Sequence, residues 1–261
     1  MERFNKINRT ALIDGDVLVY TAACGEFSRS NDCQDLCDRV IAEVADWGRR
    51  AFCNQIVVAF SAPRDTNFRR DFWPKYKANR DDKEAPPFLK DGIAAVTNAY
   101  KTITRPRIEA DDILGILGSY GKELPDGSTP VIVTRDKDLR QVPGWHFNPE
   151  KEDFPVWIDP LTADRFFYQQ WMTGDTTDNV PGMFKWGPAK AAKLLDGTPR
   201  ADWTKAVFDA YAAHPKNYEA GYALAMARAV RVLRAGEWDK TKEAPILWNP
   251  ETAVLPGLTP A

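Results

Sequence analysis

Three short apolar runs constrain this chain more than any other feature: residues 11–19 (ALIDGDVLV, interrupted by Asp14 and Asp16), 55–60 (QIVVAF) and 130–134 (PVIVT). None alternates polar with apolar, so each reads as a strand buried on both faces, as in a parallel sheet covered by helices. Between the first two, residues 35–52 place Leu36, Val40, Val44 and Trp47 on one helical stripe, with Cys37 and Ile41 beside it. Helical patterns at 88–101 and 109–122 precede the third run. Beyond about residue 159 the pattern is helical only, at 162–173, 188–195, 203–213 and 218–233, before a Pro-rich end containing Ile246, Leu247 and Trp248. This order predicts an α/β doubly wound sheet over residues 1–160, with an insertion at about 64–105, followed by a helical unit over 161–261.

Charge adds the first functional clue. The whole chain is nearly neutral, with 35 Lys and Arg against 37 Asp and Glu. Residues 64–90 nevertheless hold eight basic residues against five acidic ones, interleaved with Phe68, Phe72, Trp73, Tyr76 and Phe88. Cations mixed with aromatics suit a nucleic acid backbone and its bases, although a solvated charged loop has the same composition. No apolar run approaches the ~18 residues of a membrane span. The charged start (Glu2, Arg3, Lys6, Arg9) and the aspartates in the first run oppose a secretory leader, so a cytoplasmic location is expected. Cys24, Cys33, Cys37 and Cys53 form no CxxC pair and only two histidines exist, which favours packed, reduced thiols over a zinc site.

Carboxylates collect where a parallel sheet places its chemistry, beyond the carboxyl ends of the strands. The first run leads into Asp14 and Asp16, and the third into Asp136 and Asp138 (VTRDKD). The helix in IEADDILGIL begins with Glu109, Asp111 and Asp112, and GDTTDN adds Asp175 and Asp178. Singly, each is an ordinary turn former or helix-start acid. Gathered in one fold they would repel and desolvate one another prohibitively unless cations sat among them. Oxygen-only ligands select Mg²⁺ or Mn²⁺, and two such ions about 4 Å apart clamp a phosphodiester for in-line attack by water. In the helical unit, Gly182 and Gly187 before a helix bearing Lys190 and Lys193 would let backbone amides approach a phosphate, or simply turn a helical corner.

The blocks IDGDVLVY, VVAFS, NFRRDFWPKYKANR, IEADDILGIL, VIVTRDKDL, GDTTDNVPG with WGPAKAAKLL, and MARAVRVLRAGEWD with ILWNP occur in this order over most of the chain. Together they resemble the flap endonuclease/5′-nuclease family, nearest the 5′-to-3′ exonucleases of T-seven-type bacteriophages. The resemblance implies a PIN-like catalytic domain, an arch or gateway insertion and a helix-three-turn-helix DNA-binding region. It implies a first metal on Asp14, Glu109 and Asp111, and a second on Asp136, Asp138 and Asp175 or Asp178, with Asp112 matching a further acid of bacterial and phage members. Tyr76 resembles an aromatic that stacks on a base beside the scissile phosphate. Lys77 and Arg80 resemble the gateway cations, with Arg69, Arg70 and Lys75 of the same block as further DNA contacts. A K⁺ ion is implied at the helix-three-turn-helix. Two positions depart from the family pattern: Ser61 replaces an Asp after the second strand, leaving Asp65 as the nearest following acid, and Lys185 replaces the first Gly of a GxG hairpin.

The leading expectation is a monomeric, metal-dependent 5′ nuclease that cuts DNA with a duplex region and a 5′ end or flap. RNA–DNA hybrids are a side substrate, and the setting is phage DNA replication or host DNA degradation. A PIN-type ribonuclease shares the sheet and acids but resembles only the first half. A degenerate, non-catalytic DNA-binding protein is suggested by Ser61 and opposed by the other carboxylates. A nucleotide-hydrolysing protein lacks its GxxxxGK[ST] loop.

Overall fold

The first apolar run divides at Asp14. Strand β1 (Arg9–Asp14) is buried at every residue, and helix α1 (Gly15–Cys24) begins at once, burying Leu18, Val19, Ala22 and Ala23. The turn is so tight because Asp14 Oδ1 accepts the Val17 N–H at 3.1 Å, serving a first-turn amide that no helical carbonyl reaches. Gly15 permits it sterically: a Cβ there would lie 2.6 Å from the Phe60 ring and 2.8 Å from the Ala59 carbonyl. Residues 17–19, read from sequence as strand, are therefore helical.

The computed structural model describes residues 8–24, 32–120 and 124–251. Glu2, Arg3 and Lys6, the end of the helix expected to reach residue 122, and the last ten residues lie outside them. After α1 come α2 (Cys33–Arg50), β2 (Gln55–Ala59), α3 (Leu89–Ala99), β3 (Lys101–Ile103), α4 (Ala110–Gly118), β4 (Thr129–Val133), β5 (Gly144–Phe147) and β6 (Val156–Ile158). They form one sheet in the order β3-β2-β1-β4-β5-β6, parallel except for β6, which runs antiparallel to β5. In register, Leu12 of β1 faces Val57 on one side and Ile132 on the other. Strands β3, β5 and β6 span three or four residues each, too few for a period to be read, and escaped the sequence analysis.

Each sheet face is covered. Ala11, Ile13, Val58, Val131 and Val133 pack under α1, α2 and α3, with Leu36, Val40, Val44 and Trp47 of the expected α2 stripe all buried. Leu12, Val57, Ala59 and Ile132 pack under α4 through Ile113 and Leu114. A third core lies among α5 (Pro160–Thr173), α6 (Pro188–Asp196), α7 (Trp203–Ala212) and α8 (Ala220–Val230), centred on Trp171 and including Phe167, Tyr211, Met226 and Trp248. The chain then doubles back. Val232 and Leu233 join the α4 side of the sheet, followed by a small ribbon, β7 (Trp238–Asp239) with β8 (Ala244–Pro245).

Among the described residues no disulfide forms; Cys24 is exposed and the other cysteines half-buried, so packing of the thiols fails for Cys24. No helix of the described residues is long and apolar enough to cross a membrane.

The return of residues 232–233 depends on Gly115, where a Cβ would lie 2.1 Å from the Leu233 carbonyl oxygen, a backbone atom with little freedom to yield. Gly115→Ala should destabilise the protein by about 1–3 kcal/mol through overpacking. Its urea midpoint should fall; an unchanged midpoint would show that this close approach is absent in solution.

Candidate functional site

The carboxyl ends of β1 and β4 and the first turn of α4 meet around Asp14. Thr134, just past β4, donates its hydroxyl to Asp14 Oδ2 at 2.8 Å and accepts the Asp136 N–H at 3.0 Å, so one side chain orients two acids. Asp136 Oδ1 accepts the Asp138 N–H at 2.8 Å and caps the 3₁₀ turn Lys137–Gln141. Asp111, in the first turn of α4, adds a third element. On the end of β2, Ser61 donates its N–H to Asp16 Oδ2 at 3.1 Å and accepts the Ala110 N–H on its hydroxyl at 2.9 Å.

These acids lack compensating cations. Burial and the neighbouring Asp16 push the Asp14 carboxyl up to about 7, with Asp136 adding to the effect. Burial, Asp14 and Asp136 hold Asp111 well above the ordinary carboxylate range. Burial and a hydrogen bond with Asp175 push Asp138 up to about 8, with Asp136 contributing. Asp175 moves down: burial opposes ionisation, but the bond from Asp138 and the Thr177 N–H at 2.7 Å outweigh it. The Oδ1 atom of Asp138 is buried without a hydrogen-bond partner, an arrangement that ordinarily costs about 1–3 kcal/mol. Among the described residues, no three His, Cys, Asp or Glu side chains close on one point as a finished metal shell. Mg²⁺ commonly keeps several waters and takes one or two carboxylates. The donor set fits such an ion: oxygen only, mutually repelling, with one orphaned buried acceptor.

A second group of acids is compensated. Glu109, the N-cap of α4, accepts Lys77 Nζ at 2.6 Å and the Tyr76 hydroxyl at 2.7 Å. Burial would raise its pKa, but Lys77 and Arg69 hold it down to about 2. Asp178 accepts Arg80 at 2.8 Å and lies 3.4 Å from Lys77 Nζ; burial nevertheless keeps its carboxyl above the usual range. Lys77, at φ 51° in the left-handed region, also donates its N–H to the Asp178 carbonyl at 2.9 Å. The insertion is thus folded onto the acids through its cations.

Four sequence expectations are corrected. Asp112 is 0% exposed, and its carboxylate accepts two bonds from Arg69 at 2.7 Å, the Leu233 N–H at 3.1 Å and the Glu109 N–H at 3.2 Å, leaving it no role as a metal ligand. Arg69, 2% exposed, also donates to the Ala229 carbonyl at 3.0 Å and the Arg231 carbonyl at 2.6 Å, which removes it from any DNA-facing surface. The Tyr76 ring is 2% exposed within the core of the helical unit and cannot stack on a base. Gly182 is buried at φ 59°, where a Cβ would lie 2.4 Å from the Gly174 nitrogen; it serves a tight turn packed on Gly174 instead of lying open before α6.

The remaining expected DNA contacts are more open. Gly187 is exposed and caps α6 without a side-chain bond; Lys190 and Lys193 are exposed, with Lys190 Nζ 4.3 Å above the Trp186 ring. Lys75 is exposed, whereas Arg70 pairs with Asp81 at 2.7 Å. Asp65 is exposed in the short turn Arg64–Thr66. Thr134 was missed as a site residue, although its place directly after a buried strand was a usable signal.

A family profile described as "5′-3′ exonuclease, N-terminal resolvase-like domain" matches residues 9–148. The chain is 33% identical over 153 residues to DNA polymerase I of Deinococcus radiodurans, a match spanning 54% of this chain and 16% of the polymerase. It is 28% identical over 204 residues to the flap endonuclease Xni of Shewanella sp. (strain W3-18-1), covering 72% of this chain and 74% of that protein. Its fold is shared with the D15 protein of bacteriophage T5, co-crystallized with metal ions, at a TM-score of 0.64 and 16% identity over 85% of this chain and 89% of that one. The profile covers more than half of the 261 residues, and the chain accordingly belongs to the family of 5′-3′ exonuclease N-terminal, resolvase-like domains.

Proposed function

We propose that this protein is a divalent-metal-dependent 5′-to-3′ exonuclease and flap endonuclease that hydrolyses DNA phosphodiesters at the 5′ ends of duplex or flap structures. The observation that carries this reading is the set Asp14, Asp111, Asp136 and Asp138: one buried and three half-buried acids, without an ion pair among the described residues, at the carboxyl ends of β1 and β4 and the first turn of α4, a cost retained where cations are needed. The flap endonuclease among its relatives and the metal ions in its structural neighbour support the same reading. In it, residues 1–160 form the catalytic domain, with a gateway at about 64–105, and residues 161–261 form the region that holds duplex DNA.

Asp14 and Asp111 would hold one Mg²⁺ or Mn²⁺, and Asp136, Asp138 and Asp175 would hold the other. Bound there, the ions would supply Lewis-acid charge and lower the pKa of a water for in-line attack. Thr134 fixes the orientation of Asp14 and the backbone at Asp136. Lys77 and Arg80 exchange Glu109 and Asp178 for phosphate oxygens, compensating charge that grows in the transition state. Gly187, Lys190 and Lys193 contact duplex phosphates away from the reacting bond.

Three outcomes test this reading. The Asp136→Asn, Asp138→Asn double variant should bind a labelled 5′-flap duplex and fail to cut it in Mg²⁺; cleavage matching the unmodified protein would end the proposal. Lys77→Ala should lose roughly 10²-fold in kcat with a smaller change in KM, as for a group acting mainly in the transition state; single-turnover and steady-state rates separate the two. The third concerns pH. Because Asp14 and Asp138 are raised from 3.8 to about 7 and about 8, folding without metal takes up protons. Their contribution is favourable below pH 3.8 and is lost as pH rises through 7 to 8. In EDTA the melting temperature should therefore fall between pH 5 and 8.5, and Mg²⁺ should reverse the fall. A flat EDTA profile would contradict the uncompensated burial of these acids.

A further inference from the structure

Strand β2 ends without an acid of its own, since Phe60 and Ser61 follow Ala59. Ser61 is nevertheless bonded to a carboxylate. Its N–H donates to Asp16 Oδ2 at 3.1 Å, and its hydroxyl accepts the Ala110 N–H at 2.9 Å. A neutral residue on β2 thereby holds a charge from α1 beside the first turn of α4. Gly15 makes the short reach possible, because any Cβ there would push α1 off the Ala59 carbonyl and the Phe60 ring.

We propose that Asp16 takes the place of the missing β2 acid and is a direct ligand of the cation held by Asp14. The inference rests on the metal-dependent reading above. Charge pairing singles out Asp16. Glu109 is covered by Lys77 and Tyr76, Asp178 by Arg80 and Lys77, and Asp112 by Arg69. Asp16 makes no ion pair among the described residues, and its carboxylate accepts the Ser61 N–H. Asp65, the nearest acid following Ser61, is exposed and offers no alternative.

The test is Mn²⁺ binding by the full-length protein without DNA, followed by isothermal titration and by the electron paramagnetic resonance signal of free Mn²⁺. Asp16→Asn should weaken one Mn²⁺ by at least tenfold. Placing Asp at 61 in the Asp16→Asn background should restore binding to within about threefold. Asp136→Asn, weakening the other ion, is the control. Melting in EDTA confirms folding, and loss of a repelling charge should leave it unchanged or raised; if Asp16→Asn does not fold, Asp16→Ala and the double variant decide. Wild-type Mn²⁺ affinity in Asp16→Asn beside a weakened Asp136→Asn overturns this inference alone. Absence of Mn²⁺ binding by the unmodified protein overturns it together with the metal-dependent reading.

Discussion

The Arg69 guanidinium is where the three parts of the chain are joined. It makes four hydrogen bonds, two to Asp112 on α4 and one each to the carbonyls of Ala229 and Arg231 at the end of α8, and it pairs with Glu109 at 3.6 Å. The insertion, the sheet's α4 face and the helical unit therefore meet on one buried cation. Removing either partner of such a pair typically costs about 3–5 kcal/mol, because the other is left charged and dry. Asp112 also accepts the Leu233 N–H, so the same carboxylate anchors the returning segment that packs against Gly115. The site is rigid where it must be: the first turn of α4, which carries Glu109 and Asp111, cannot shift without dismantling this junction.

Against that satisfied pair, the uncompensated acids stand out. Asp111 and Asp112 are consecutive, the first half-buried and the second fully buried, and have different surroundings. Arg69 pairs with Asp112 through two hydrogen bonds, whereas burial and two further acids lift Asp111 well above the ordinary range. A helix turns about 100° per residue, so neighbours face different surroundings. The i, i+1 spacing of this DD pair divides the labour, one acid fastening the helix and the other facing the sheet edge.

That division also shows what the sequence could and could not reveal. The α2 stripe was legible because Leu36, Val40, Val44 and Trp47 follow the helical period over 18 residues. The strand ends at Asp14 and Thr134 were legible because buried parallel strands are continuous apolar runs. Val17, Leu18 and Val19 were misread because an apolar run carries no record of where a Gly–Asp turn changes its period. Arg69 and Tyr76 were misplaced for a related reason: within FRRDFWPKYKANR, a buried cation and an exposed one look alike, and only tertiary contacts separate Arg69 from Arg70. Gly182 was misassigned because a glycine needed for a left-handed turn and one needed beside a phosphate leave the same letter.

The resting site follows from competition among charges. Lys77 and Arg80 lie on Glu109 and Asp178, so the side of the site beneath the insertion is close to neutral, while the side at β1 and β4 is acidic. Placing Lys77 close to 13% exposed Glu109 makes the pair strong, since little water screens it. On the proposed function, a phosphate entering between the two sides would meet cations already gathered and partly desolvated, so little reorganisation would be needed to transfer them from carboxylate to phosphate. The opposite side can accept that anion only once its own charge is neutralised. On that proposal, acids without ion pairs and acids with them are complementary halves of one arrangement, the first suited to cations and the second keeping the insertion's cations in place until an anion arrives.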